Sequence, residues 1–142
     1  MTFFRYALPI AVCTVLLSSV STVNAEDRFD ALASCADGRS HVEQRACLQQ
    51  KQIESQASLE RAHEEFIKYL RSVDQEARPK QTALAAARSD AEAFANYSKA
   101  HCNAFASLAY GGNSRQDRRL ACQAELNSVR AQQLARITLG LR

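Results

Sequence analysis

Two cysteines set at matched distances from a glycine turn constrain this chain more than any other feature. Cys102 lies eight residues before Tyr110, Cys122 lies eight residues after Ser114, and Gly111-Gly112-Asn113-Ser114 separates the two arms. Each arm reads as helix, so at ~1.5 Å rise per residue both thiols sit roughly 12 Å from the turn. An antiparallel helical hairpin brings them together, and the spacing predicts a Cys102–Cys122 disulfide. Packed helix axes usually stand ~8–10 Å apart, wider than the ~5.5–6 Å between disulfide Cα atoms. The arms must therefore close up locally, which small Ala106 and Ala121 allow.

The first residues decide how many cysteines remain to be paired. Arg5 precedes an uncharged apolar run from Ala7 to Val20, and Val23-Asn24-Ala25 presents small residues where a signal peptidase cuts. Residues 1–25 read as a secretory signal cleaved after Ala25, and residues 26–142 as one exported domain. The apolar run is short for a bilayer span and lacks a basic flank after it, so no stable membrane anchor is expected. Val12 stands where a lipobox wants a small residue before Cys13, which argues against lipidation. Cys13 leaves with the signal. Four cysteines remain, Cys35, Cys47, Cys102 and Cys122, and an even set in an exported chain reads as two disulfides. A zinc site would want short spacings such as C-x-x-C, which are absent.

Few glycines and prolines, no tryptophan, and abundant Ala, Gln, Glu, Arg and Leu argue for an all-α domain. Phe29, Leu32 and Ala33 suggest a short leader helix running to Cys35, followed by an Asp37-Gly38 turn. Ser40 and Glu43 then form a capping box. Apolar residues recur mostly at threes and fours through Val42, Ala46, Ile53, Ala57, Leu59, Ala62, Phe66, Leu70 and Val73, predicting one long helix. Pro79 is expected to end it at Arg78. A third helix carries Leu84, Ala87, Ala91, Phe94, Tyr97, His101, Phe105 and Leu108 on one stripe. A fourth begins at a Ser114/Asp117 cap and carries Cys122, Leu126, Val129, Gln133 and Ile137. The expected fold is a small antiparallel bundle of a leader and three long helices. Folding the leader back at Asp37-Gly38 pairs Cys35 with Cys47.

Catalytic patterns are missing. His63-Glu64-Glu65 begins an H-E-x-x-H pattern, but Ile67 stands where the second histidine is needed. His41, His63 and His101 fall on different helices without a spacing that joins them, and His101 reads as a partly buried bundle residue. No phosphate loop or nucleophile elbow occurs, so neither an enzyme nor a cofactor or metal is expected. Removing Arg5 takes the formal net charge from +3 to +2, which gives no argument for nucleic acid. One local rule is broken. Arg115, Arg118 and Arg119 crowd the first turns of the last helix, where the macrodipole favours acids. With Gly111, Gly112, Asn113 and Ser114 they form the candidate partner-binding site, a basic knob facing an acidic protein surface, for which arginine's bidentate geometry is suited.

These residues also resemble a known family, the lysozyme inhibitor LprI-like exported bacterial proteins. The resemblance rests on Phe94 eight residues before Cys102, Tyr97, the Gly111–Ser114 turn, Cys122, Arg130 and Leu134, and on Cys35, Ser40, Glu43 and Cys47 in the earlier half. Phe94 replaces the family's usual tryptophan, Ser98-Lys99 an Arg-Asp pair, and Gln56, Leu59 and Glu60 stand where an Asp and a Leu-Asn pair are frequent. The resemblance implies a periplasmic or secreted inhibitor that occludes the cleft of a lysozyme-type muramidase. The alternative is a non-catalytic adaptor or structural protein of the envelope, including an immunity protein to a wall-degrading toxin. Peptide mapping without reductant is expected to recover Cys35–Cys47 and Cys102–Cys122 fragments; a Cys47–Cys102 fragment would contradict both assignments.

Overall fold

Ser40 starts the longest helix as its sequence requires. The Ser40 hydroxyl accepts from the Glu43 amide at 3.4 Å, and the Glu43 carboxylate accepts from the Ser40 amide at 2.8 Å. The Ser40 hydroxyl also donates to the Glu43 carboxylate at 2.6 Å, and this bond, ahead of the one from the Ser40 amide, holds the Glu43 carboxyl below the usual carboxylate range. The computed structural model describes residues 30–110, 112 and 114–140. Among them are four helices, α1 (Ala31–Ala36), α2 (His41–Ser72), α3 (Ala77–Ser107) and α4 (Ser114–Gly140). The signal segment with Cys13, together with Phe29, Gly111 and Asn113, lies outside the described residues.

The fold is an all-α bundle stapled twice. Cys35–Cys47 joins α1 to α2 with 5.7 Å between Cα atoms, and Cys102–Cys122 joins α3 to α4 at 5.5 Å. Ala106 and Ala121 are almost wholly buried beside the second staple, as the close approach demands. With sequence separations of 12 and 20, each staple contributes ~3 kcal/mol by restricting the unfolded chain. Gly38, at φ +63°, makes the left-handed turn that folds α1 back.

The three long helices run up, down and up. Arg45 meets Asp117 and Gln56 meets Asn127, so α2 and α4 are parallel and in register. Cys102 meets Cys122 and Asp90 meets Arg130, so α3 runs antiparallel to α4. The α2–α4 seam is the most extensive packing in the bundle. Its α4 side steps regularly by threes and fours through Asp117, Leu120, Ala124, Asn127, Ala131, Leu134 and Thr138, all buried, which keeps one face on a parallel neighbour.

Apolar packing along the seam falls into two clusters. At one end Leu48, Leu120, Ala121 and Ala124 enclose Ala31 and Cys35 of α1. Further along, Leu59, Ala131 and Leu134 pack with Ala62, Phe66 and Phe94. Between them Ser55, Ser98 and Asn127 are buried polar residues.

Four local expectations are corrected. On α2, Val42 and Ile53 are 78% and 59% exposed and Ala46 is exposed, whereas Leu48, Ser55 and Leu59 are buried. Polar Gln52 and Ser55 in the seam hide its phase from an apolar count. On α3 the stripe holds at Ala87, Ala91 and Phe94, but Tyr97, His101, Phe105 and Leu108 face outward. The staple turns Cys102 inward, and Ser98 and Ala106, four residues to either side, follow it. On α4, Val129, Gln133 and Ile137 are exposed because the helix's principal neighbour is α2 rather than the disulfide partner. Finally, Pro79 does not terminate α2, which stops at Ser72. It lies in the first turn of α3, where a missing amide hydrogen forfeits no helical bond.

These corrections are measurable. Leu134→Ala is expected to lower unfolding free energy by about 2–5 kcal/mol in chemical denaturation. Val42→Ala is expected to change it by no more than about 0.5 kcal/mol; equal losses would contradict the seam.

Candidate protein-binding site at the turn between the last two helices

α3 ends in a tight turn. The amides of Leu108, Ala109 and Tyr110 donate to the carbonyls of Phe105, Ala106 and Ser107 at 3.1–3.2 Å. Tyr110 then adopts φ +50°, a left-handed conformation that a non-glycine residue takes up at a cost of about 1–2 kcal/mol. The residue is 96% exposed. Gly112 continues at φ +77° with open space around its missing Cβ, so backbone geometry rather than crowding calls for glycine. Its carbonyl accepts from the Arg115 amide at 3.3 Å as α4 begins.

The arginines behind the turn take different positions. Arg115 is exposed and Arg118 and Arg119 are half-buried. The Arg118 guanidinium lies 5.8 Å from the centroid of the Phe105 ring, within cation–π range. Arg119 donates to the Gln116 side-chain oxygen. The knob therefore includes an aromatic support that the apolar stripe had assigned to the interior. Beyond it, Tyr97 and His101 stack with ring centroids 5.3 Å apart. His101 is exposed rather than partly buried.

Asp117 explains why the surrounding charge stays basic. It is 3% exposed and faces α2, where its carboxylate lies 3.0 Å from His41 Nε2 and accepts from Arg45 Nε at 2.8 Å. That hydrogen bond pushes the Arg45 guanidinium above its ordinary value. The negative charge in the first turn of α4 is thus turned inward, away from Arg115 and Arg118. Parallel α2 and α4 also begin at this end of the bundle. Two N-terminal dipoles of roughly +0.5 charge each outweigh the opposite pole of α3 there.

This end of the bundle presents basic and aromatic side chains to solvent. His41 does meet a carboxylate, 76 positions away along the chain, a separation that no local spacing could join, yet both groups are committed to bracing two helices. Among the described residues, no group of three or more His, Cys, Asp or Glu could hold a metal ion, and no helix is long and apolar enough to cross a membrane. The described candidate residues Gly112, Ser114, Arg115, Arg118 and Arg119 are brought to one end of the bundle. Tyr110 and Phe105 join them. A tyrosine directly before Gly-Gly was the available sign of the first; the second is exposed through the disulfide's control of α3.

A family model described as lysozyme inhibitor LprI matches residues 33–134, spanning all four paired cysteines and the turn. The chain belongs to the lysozyme inhibitor LprI family. No curated protein and no solved structure matches it. Within this LprI chain the leader helix is tied to the site's helix by Glu125, whose carboxylate accepts from the Ala31 amide at 3.0 Å. Burial pushes the Glu125 carboxyl up; the Ala31 hydrogen bond opposes this and the Asp30 charge adds to it.

A raised folded-state value means that ionisation of Glu125 opposes folding, an effect fully present above that value and gone below the unfolded value near 4.5. Glu125→Gln keeps an acceptor and removes the charge. Its thermal midpoint at pH 7 is expected to exceed that of the parent protein, with the gap closing as pH falls through the raised value towards 4.5. A gap that widened on acidification would contradict the buried-carboxylate account.

Proposed function

We propose that this LprI-family chain is an exported, non-catalytic protein that binds a lysozyme-type peptidoglycan hydrolase and inhibits it by occluding its substrate cleft. The observation that carries the reading is Tyr110, almost wholly exposed on a left-handed turn with Arg115 and Arg118 behind it. A muramidase cleft is lined by the carboxylates that cleave the glycosidic bond. An aromatic wedge backed by arginines suits such a cleft in shape and in charge. The wedge is seated between two helices already joined by Cys102–Cys122, so little of it needs ordering on contact.

Export supports the same reading. Two disulfides persist in an oxidising compartment, and the signal-like segment ending at Ala25 would deliver the chain there. The periplasm or the exterior is the expected location, and a protein the expected partner. An envelope adaptor or immunity role uses the same surface differently, and the exposed Tyr97–His101 stack is the feature that favours it.

The test is lysis of purified cell walls by a panel of muramidases and amidases in the presence of the disulfide-bonded protein. Near-stoichiometric slowing of at least one muramidase is expected, and Arg118→Glu combined with Arg119→Glu is expected to weaken it without lowering the melting temperature. No slowing anywhere in the panel would refute inhibition. Slowing that survives the double substitution would remove the arginines from the contact.

A further inference from the structure

The seam between α2 and α4 loses its apolar character halfway along. Gln52 and Gln56 of α2 and Gln123 and Asn127 of α4 bring four carboxamides to one groove, which α3 borders with Phe94, Ser98 and Lys99. The groove lies in the break between the two apolar clusters and has a volume of about 260 Å³, near the small end of the ~300–1,000 Å³ typical of ligand pockets. Asn127 is buried and donates to the Gln56 side-chain oxygen at 3.0 Å. Gln52 and Gln123 make no side-chain hydrogen bond among the described residues. Gln52 and Gln123 are half-buried, and Gln56 is exposed at the rim, where it also donates to Glu60 at 2.9 Å. Polar groups kept beside a core against the local pattern are characteristic of functional sites.

The lining selects a ligand class. Carboxamides both donate and accept hydrogen bonds without net charge, which matches hydroxyl and acetamido groups. Glu60 and Lys99 on the rim oppose one another in charge, so the groove has no general attraction for anions or cations. His63 faces the same space, and burial together with the nearby Arg130 charge lowers its pKa. Leu59, Ala91, Ala95 and Phe94 supply an apolar floor for the C–H face of a sugar ring.

We propose that this groove binds an acetamido sugar, one N-acetylhexosamine unit of a glycan chain. The open side lets a longer chain run past the bound unit. This goes beyond hydrolase inhibition and does not rest on it, since Gln123 lies roughly 12 Å further along α4 than Arg115.

The experiment is saturation-transfer NMR and calorimetry on the disulfide-bonded protein with tri-N-acetylchitotriose, with cellotriose, which lacks the acetamido groups, as comparison. Transfer to the acetamido methyls of the first sugar and none to the second is expected. Gln52→Ala with Gln123→Ala is expected to weaken binding by about tenfold or more, with an unchanged circular dichroism spectrum showing the fold intact. A second variant, Asn127→Leu, is expected to abolish binding while retaining or raising the melting temperature. Absence of transfer from the acetamido sugar at millimolar concentration overturns the proposal. Equal binding of cellotriose overturns the acetamido assignment, and unchanged affinity in both folded variants places the sugar elsewhere. None of these outcomes alters the wall-lysis result, so failure of one reading is distinguishable from failure of the other.

Discussion

The register of α2 against α4 is the constraint from which the rest of the bundle follows. These helices are parallel neighbours, and a short loop cannot connect two parallel elements. α3 is the return path, and its 31 residues bring the chain back to the end where α2 began. Asp117 marks that register chemically. A carboxylate this deeply buried is tolerated only where its partners meet it, and Arg45 and His41 do so from one face of α2. A slip of one helical turn would leave the carboxylate with at most one of them. Apolar contact alone is less discriminating here, because the seam contains as many alanines as leucines on its α4 side.

Much of this architecture was legible in the residues. The matched offsets of Cys102 and Cys122 specified the hairpin, Ser40 and Glu43 specified the start of α2, and Asp37-Gly38 with two flanking cysteines specified the leader's return. Helix faces were harder to read. Counting apolar residues selects Val42 and Ile53 over Gln52 and Ser55, although the latter pair lies on the seam, because a polar layer is invisible to a hydrophobic count. Tyr97, His101 and Phe105 continue the spacing of Phe94 equally well, and only the orientation imposed by Cys102 separates the alternatives. The Asp117–His41 pair was beyond reach, since a contact between distant helices leaves no local spacing to recognise. The arginines were legible as an anomaly, but their support by Phe105 depended on that same rotation of α3.

Polar residues at core positions serve two different ends in this molecule. Asp117 is satisfied by α2 and specifies alignment. The amide layer around Asn127 is only partly satisfied from within and opens to solvent as a groove. Both cost apolar contact in a domain whose core is already built largely from small side chains, and two disulfides offset that loss. A chain without the staples would depend on helix propensity and a seam of alanines, which is a weak basis for a domain this size.

Both disulfides lie within the first few turns of α2 and α4, at the end that carries Tyr110 and the arginines. The opposite end, where α2 gives way to α3 and where α4 finishes, has no covalent tie among the described residues. The molecule is therefore graded in stiffness along its length. Thermal fluctuation concentrates at the uncrosslinked end, as local opening does wherever stabilising contacts are few. The helix ends that flank the turn are thereby held together covalently, whereas the remote ends of the same helices are held by side-chain contacts alone among the described residues.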